Sequence, residues 1–93
     1  MERIFVLDRV CERHPNVSKE DAAYAWKYAV RTMLRIGADP EEHVGVGFDT
    51  SGRMIEIVAL RTGEDDWLIK HAQTPPQEKI KRELKMLRRN HER

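Results

Sequence analysis

Glu56, Lys70 and His71 carry side chains that could share acid–base chemistry. An imidazole titrates near neutral pH, a carboxylate can act as a base, and an ammonium group can stabilise developing negative charge. His71 is therefore the candidate acid or base, with Glu56 as the alternative base. A competing interpretation is structural, because a histidine half buried in a sheet and bonded to a nearby carbonyl is also typical of proteins.

Four cations are candidates for binding phosphate: Arg53, Arg61, Lys70 and Lys79. Metal-free cleavage of a phosphodiester needs such groups beside a general acid and a general base. The ordinary alternative is that these side chains are solvated surface charges.

The sequence lacks GxGxxG, P-loop, HExxH, CxxC and nucleophile-elbow patterns, which predicts no nucleotide cofactor and no metal. The single cysteine, Cys11, cannot form an internal disulfide and is predicted to be a small core residue on a helix. Residues 1–6 lack the features of a secretory signal, and no run approaches the roughly 20 apolar residues of a membrane span. These observations predict a cytoplasmic protein.

Residues 43–72 are predicted to form a three-stranded antiparallel meander. Val44, Val46 and Phe48 alternate with polar residues or glycine, which is the two-residue period of a strand with one buried face. The second and third predicted strands are Arg53–Arg61 and Trp67–Ala72.

The register of this meander decides which side chains share a face. A two-residue loop at Ser51-Gly52 pairs Phe48 with Ile55 and Val46 with Ile57. Glu56 then shares the opposite face with three residues of the first strand, His43, Gly45 and Gly47. The third strand's register stays open, and a one-residue slip exchanges Lys70 for His71 on that face.

Helices are predicted on both sides of the meander. Residues 2–14 form the first, although the early Ile and Val also allow a strand start. The second begins at Ser18, with Asp21 in a capping arrangement, and runs to a C-cap at Gly37. The last begins at Thr74-Pro75-Pro76 and carries an apolar stripe of Ile80, Leu84 and Leu87. The predicted fold is one α+β domain, residues 1–93, with two N-terminal helices, the meander and a basic C-terminal helix.

Charge is distributed unevenly along the chain. Residues 38–69 carry two Lys/Arg against eight Asp/Glu, whereas residues 70–93 carry eight against three. A polyanion would therefore meet the C-terminal helix rather than the acidic centre, although charge on a helix also serves solubility.

The segment Arg13–Ala22 resembles the "KHGVSFEEA" stretch of the BrnT family of bacterial toxins. The run Val44-Gly45-Val46-Gly47 and a hairpin turn ending in Gly52-Arg53 are similar in order to that family. The resemblance implies a RelE-like fold, metal-independent cleavage of RNA that inhibits translation, and an inhibitory antitoxin partner. The family's Ser-Ala-Arg motif is replaced here by His71-Ala72-Gln73, so that either His71 and Lys70 take over part of its work or the activity has changed or been lost.

Three functions follow as hypotheses. The first is the toxin ribonuclease, with His71, Lys70 and Glu56 as catalytic residues and Arg61, Lys79 and Arg53 binding RNA. The second is a non-catalytic interaction module that docks a protein partner through the sheet or the C-terminal helix. The third is nucleic-acid binding by that helix without cleavage. A homodimer or another partner contact is expected because so short a chain has marginal stability alone, and the resemblance implies a toxin–antitoxin complex.

Overall fold

A computed structural model describes residues 2–86 as three short helices packed on a mixed five-stranded sheet. The strand order is β1-β5-β4-β3-β2; β1 is parallel to β5, and every other neighbouring pair is antiparallel. In chain order the elements are β1 (Arg3–Val6), α1 (Asp8–Arg13), α2 (Lys19–Lys27), β2 (Arg31–Arg35), β3 (Glu42–Phe48), β4 (Met54–Gly63), β5 (Asp66–Gln73) and α3 (Glu78–Glu83).

The predicted architecture of two N-terminal helices and a three-stranded meander is wrong, and the first departure is β1. Burial alternates along Arg3–Val6, which is the period of a strand. The Arg3 guanidinium donates to both carboxylate oxygens of Asp66 on β5, at 2.8 and 2.7 Å. Only Asp8–Arg13 is helical, and it carries the partly buried free thiol of Cys11.

The second departure is β2, which replaces the last part of the predicted second helix. The predicted start of the second helix is confirmed, because Ser18 and Asp21 form a reciprocal capping box. The helix ends at Lys27, and Arg31–Arg35 pairs with β3. Without β2, the outer N–H and C=O groups of β3 would have no strand partner, so tertiary pairing overrides the helical preference of this segment. Gly37, with φ of +89°, lies between β2 and β3 instead of capping a helix.

The predicted register between β3 and β4 is also wrong, by one residue. Phe48 is opposite Met54, and Val46 is opposite Glu56. The loop is longer than two residues because the buried carboxylate of Asp49 accepts backbone N–H groups from both Ser51 and Arg53, each at 2.9 Å. A one-residue change moves every side chain of a strand to the other face.

We define the back face of the sheet as the one covered by α1 and α2. Its core includes Val10, Trp26 and Ile57. The glycines of β3 lie on this face, where they admit α2 rather than a ligand: a Cβ built on Gly47 would lie 2.0 Å from the carbonyl oxygen of Ala25. The predicted grouping of Glu56 with His43, Gly45 and Gly47 is therefore wrong.

The front face is covered by α3. Val44, Val46 and Val58 pack there against Ile80 and Leu84 of the helix region. Glu56 lies on this face, because it is opposite Val46 and two residues from Val58.

The last helix begins later than predicted. Its N-cap is Gln77, whereas the hydroxyl of Thr74 donates to the carbonyl oxygen of Met54 at 2.6 Å. The predicted stripe residue Leu87 and the basic residues after it lie outside the described residues. Across residues 2–86, no helix combines the length and apolar character needed to cross a membrane.

Candidate acid–base site

A β-bulge in β5 brings Lys70 and His71 to the front face. Val58 is opposite His71 and Ala59 is opposite Ile69, so Lys70 is an extra residue in the ladder. The two residues of a bulge oppose one residue of the neighbouring strand, which re-aims their side chains. His71 reaches Glu56, and Lys70 reaches Glu42 at the end of β3. The register alternatives left open by the sequence are thus resolved by an irregularity.

Glu56 is fully buried and accepts three hydrogen bonds. His71 Nε2 lies 2.7 Å from Glu56 Oε2, and the side-chain amide of Gln77 donates to the same oxygen at 2.8 Å. The backbone N–H of Gln77 donates to Oε1 at 2.6 Å. Burial raises the pKa of Glu56, but the hydrogen bonds from His71 and Gln77 outweigh it and hold that pKa below its ordinary value. Glu56 is therefore a carboxylate at neutral pH.

The ionised carboxylate fixes the tautomer of His71. A carboxylate only accepts hydrogen bonds, so Nε2 of His71 carries the proton and donates it. In the neutral ring Nδ1 is then the basic nitrogen. The side chain of His71 keeps 28% of its surface exposed, against 1% for Glu56. A buried carboxylate thus orients an imidazole that solvent can reach.

A second imidazole lies beside the first. The ring of His14, which follows α1, meets the ring of His71 edge to face, with centroids 5.6 Å apart. Both side chains are partly exposed. Two adjacent imidazoles can divide acid and base roles between them, because one can hold a proton while the other accepts one.

Lys70 shares the front face but is engaged in an ion-pair network. Its Nζ lies 2.7 Å from Glu42 Oε1. Glu42 also accepts from Arg35, and Arg35 donates twice to Glu83 on α3, at 2.7 and 2.8 Å. Hydrogen bonds from Lys70 and Arg35 lower the pKa of Glu42. The network's two cations and two carboxylates balance, so Lys70 contributes little net positive charge to the site.

Arg53 directly precedes β4, and Arg61 lies near the far end of that strand. They are eight residues apart on an extended chain, roughly 26 Å at about 3.3 Å per residue, which is too far to hold one phosphate. Arg53 is bound to the carboxylates of Asp49 and Asp21. Arg61 donates to the carbonyl oxygen of Glu64 and lies over the ring of Trp67. Both arginines thus hold loops in place.

Lys79 differs from these two arginines. It is exposed in the first turn of α3, two residues after Gln77, and makes no ion pair within residues 2–86. Lys79 is thus a predicted phosphate-binding residue that lies close to Gln77, the hydrogen-bond partner of Glu56, and whose charge is not paired within residues 2–86.

Sequence reasoning missed Gln77 and His14. Gln77 ties the start of α3 to Glu56, and its only sequence signal is its place directly after two prolines. His14 is the last residue of the predicted first helix, and no spacing rule connects it with His71. Among the described residues, no group of three or more His, Cys, Asp or Glu side chains is placed to hold a metal ion.

Comparison of the chain with protein-family models, with curated proteins and with solved structures gave no match. The resemblance to BrnT-family toxins therefore stays a prediction, and the geometry of the Glu56–His71 pair is the main support for a function.

Proposed function

We propose that this chain is a metal-independent endoribonuclease that inhibits translation in the bacterial cytoplasm, as the toxin of a toxin–antitoxin pair. The observation that carries the proposal is the 2.7 Å contact between the buried Glu56 carboxylate and the partly exposed His71 ring. An inhibitory antitoxin protein is the partner that this proposal requires.

His71 acts as the general base in the proposed reaction. Its Nδ1 takes the proton of a ribose 2′-hydroxyl, and the resulting oxyanion attacks the adjacent phosphorus. The P–O5′ bond breaks, leaving a 2′,3′-cyclic phosphate and a 5′-hydroxyl. Glu56 stabilises the imidazolium that forms on His71, since Nε2 donates to a carboxylate in both protonation states.

The leaving oxygen needs a proton, and in the proposed reaction His14, whose ring contacts that of His71, donates it. Lys79 provides positive charge for the phosphate oxygens, because it is an exposed cation in the first turn of α3, the end of the helix that Gln77 caps. Neither step requires Arg53 or Arg61, whose side chains hold loops far from each other.

The first prediction is that His71→Ala lowers the rate of RNA cleavage by about 100-fold or more, which is the usual contribution of a general base. Purified chain and variant are incubated with single-stranded RNA in the presence of a chelator, and the cyclic phosphate product is quantified. His43→Ala is the matched control, because His43 is also half buried and paired with a carboxylate, Glu41, at 2.6 Å. His43 lies on β3 at a back-face position, so the His43→Ala variant should cleave RNA like wild type.

Growth after induced expression gives a second readout, since an active toxin arrests growth and His71→Ala relieves the arrest. The proposal is wrong if the wild-type chain cleaves no RNA and leaves growth unchanged, or if His71→Ala and wild type cleave equally. Those outcomes would leave the non-catalytic interaction module and nucleic-acid binding without cleavage as the remaining hypotheses.

A further inference from the structure

The outer edge of β2 is an exposed strand edge. β2 is the last strand of the sheet and pairs with β3 on one side. No other segment of residues 2–86 pairs with its second side. The strand contains no proline, and its pairing with β3 is regular over all five residues. Such an edge is a template for a further strand.

Large apolar side chains line this edge. Val30 is 60% exposed, Leu34 is 48% exposed and Ile36, just past the strand, is 96% exposed. Val30, Thr32 and Leu34 alternate along the chain and so lie on one face. Tyr28, 55% exposed, precedes them. Edge strands usually carry charges that discourage pairing, whereas this face of β2 carries none.

The apolar row is self-complementary. If two copies pair antiparallel about a two-fold axis at Thr32, Val30 of one copy lies opposite Leu34 of the other, and this contact occurs twice. Ile36 then points toward Tyr28 of the second copy. An axis at Met33 would instead place Arg31 opposite Arg35, and like charges directly opposite are destabilising. The axis at Thr32 avoids that pair by placing Arg31 opposite Met33.

Charges at the two ends of the strand favour the same arrangement. Lys27 precedes β2 and Asp39 follows it, and neither makes an ion pair within residues 2–86. Antiparallel pairing brings the Lys27 end of one copy toward the Asp39 end of the other. Arg35, by contrast, is already neutralised by Glu42 and Glu83. The two ends of the edge are thus complementary in charge to each other.

We infer that β2 binds β2 of a second copy of this chain, extending the sheet across a two-fold axis at Thr32. This inference is independent of the proposed ribonuclease activity, because β2 and the Glu56–His71 pair are separated by β3 in the sheet.

Sedimentation velocity of the full chain over a concentration series tests the association. We expect a reversible dimer, and Leu34→Lys should raise its dissociation constant by about tenfold or more, because it places two ammonium groups against apolar partners. Phe5→Lys is the matched control: Phe5 is 54% exposed, lies on β1 at the other edge, and should leave the dimer unchanged. Circular dichroism confirms that both variants are folded.

Cross-linking tests the register. In a Cys11→Ser background, Thr32→Cys places two thiols at the axis, and the Cα atoms of opposed residues, about 4.5–5.5 Å apart, lie within the range that a disulfide spans. Mild oxidation should therefore give a covalent dimer from Thr32→Cys and none from Phe5→Cys. The inference is overturned if the wild-type chain stays monomeric at its solubility limit, if Phe5→Lys rather than Leu34→Lys disrupts the dimer, or if Thr32→Cys does not cross-link.

Discussion

Gly47→Ala should lower the free energy of unfolding by about 3 kcal/mol. The added methyl group would lie 2.0 Å from the carbonyl oxygen of Ala25 and 2.8 Å from its carbonyl carbon. These are backbone atoms of α2, so no side chain can rotate to make room. The helix would have to move away from the sheet and open the core around Trp26 and Ile57.

Alanine substitutions at two other glycines serve as comparisons, and urea titrations measure the unfolding midpoint of each variant. Gly63→Ala meets the Asp66 carboxylate at 3.1 Å, a flexible group, and should change stability by less than about 1 kcal/mol. Gly45→Ala meets the ring of Trp26 at 2.8 Å and should fall between the other two. A Gly47→Ala midpoint equal to that of Gly63→Ala would show that α2 lies farther from β3 than described.

Glu56→Leu should lower the free energy of unfolding by about 3 kcal/mol, since hydrogen bonds to a charged group contribute about 1.5–3 kcal/mol each and leucine restores part of the loss by apolar burial. The substitution removes the acceptor for His71 and for both donors of Gln77. The start of α3 thereby loses its attachment to the sheet. Equilibrium denaturation measures the change, and RNA cleavage should fall as well because His71 is no longer oriented.

The pH dependence of Glu56→Gln separates the charge of this residue from its shape. Because the folded-state pKa of Glu56 lies below the ordinary 4.5, its ionised form stabilises the fold fully above that pH. The stabilisation is lost as pH falls through the lowered pKa. The stability difference between wild type and Glu56→Gln should therefore be largest near neutral pH and shrink below about pH 4.5.

Glu42 and Glu83 also have lowered pKa values, because they bind Lys70 and Arg35. Wild type therefore loses stability in acid for several reasons, and only the difference between the two proteins reports Glu56. Glu64→Gln, an exposed turn substitution, should retain the wild-type profile. A Glu56→Gln difference that stays constant from pH 7 to pH 3 would contradict the assigned ionisation.

Local signals predicted the parts of the fold that local interactions decide. The capping box of Ser18 and Asp21 depends on residues three apart, so its spacing is visible in the sequence. The alternation of Val44, Val46 and Phe48 likewise falls within β3. Both features reflect chemistry contained within a few residues.

Features that depend on distant partners were not predicted. Residues 31–35 have a helical pattern, and β3 draws them into the sheet. The β3–β4 register depends on the hydrogen bonds of one carboxylate, Asp49. The predicted register was wrong by one residue, and this error placed Glu56 on the wrong face of the sheet. Glu56 and His71 were predicted as site residues from their side-chain chemistry, and the sheet brings them into contact. Gln77 was not predicted, because its contact with Glu56 joins the start of a helix to a strand.

The pairing of β1 with β5 has a consequence for synthesis on the ribosome. Arg3–Val6 emerges 63 residues before its partner residues, Asp66–Ile69. The β1 strand must therefore wait, with Phe5 exposed to solvent or to chaperones, while the β3–β4 hairpin forms from neighbouring residues. Loop closure over about 60 residues is slower than hairpin formation, so we expect β1 to join the sheet last, after β5 has emerged.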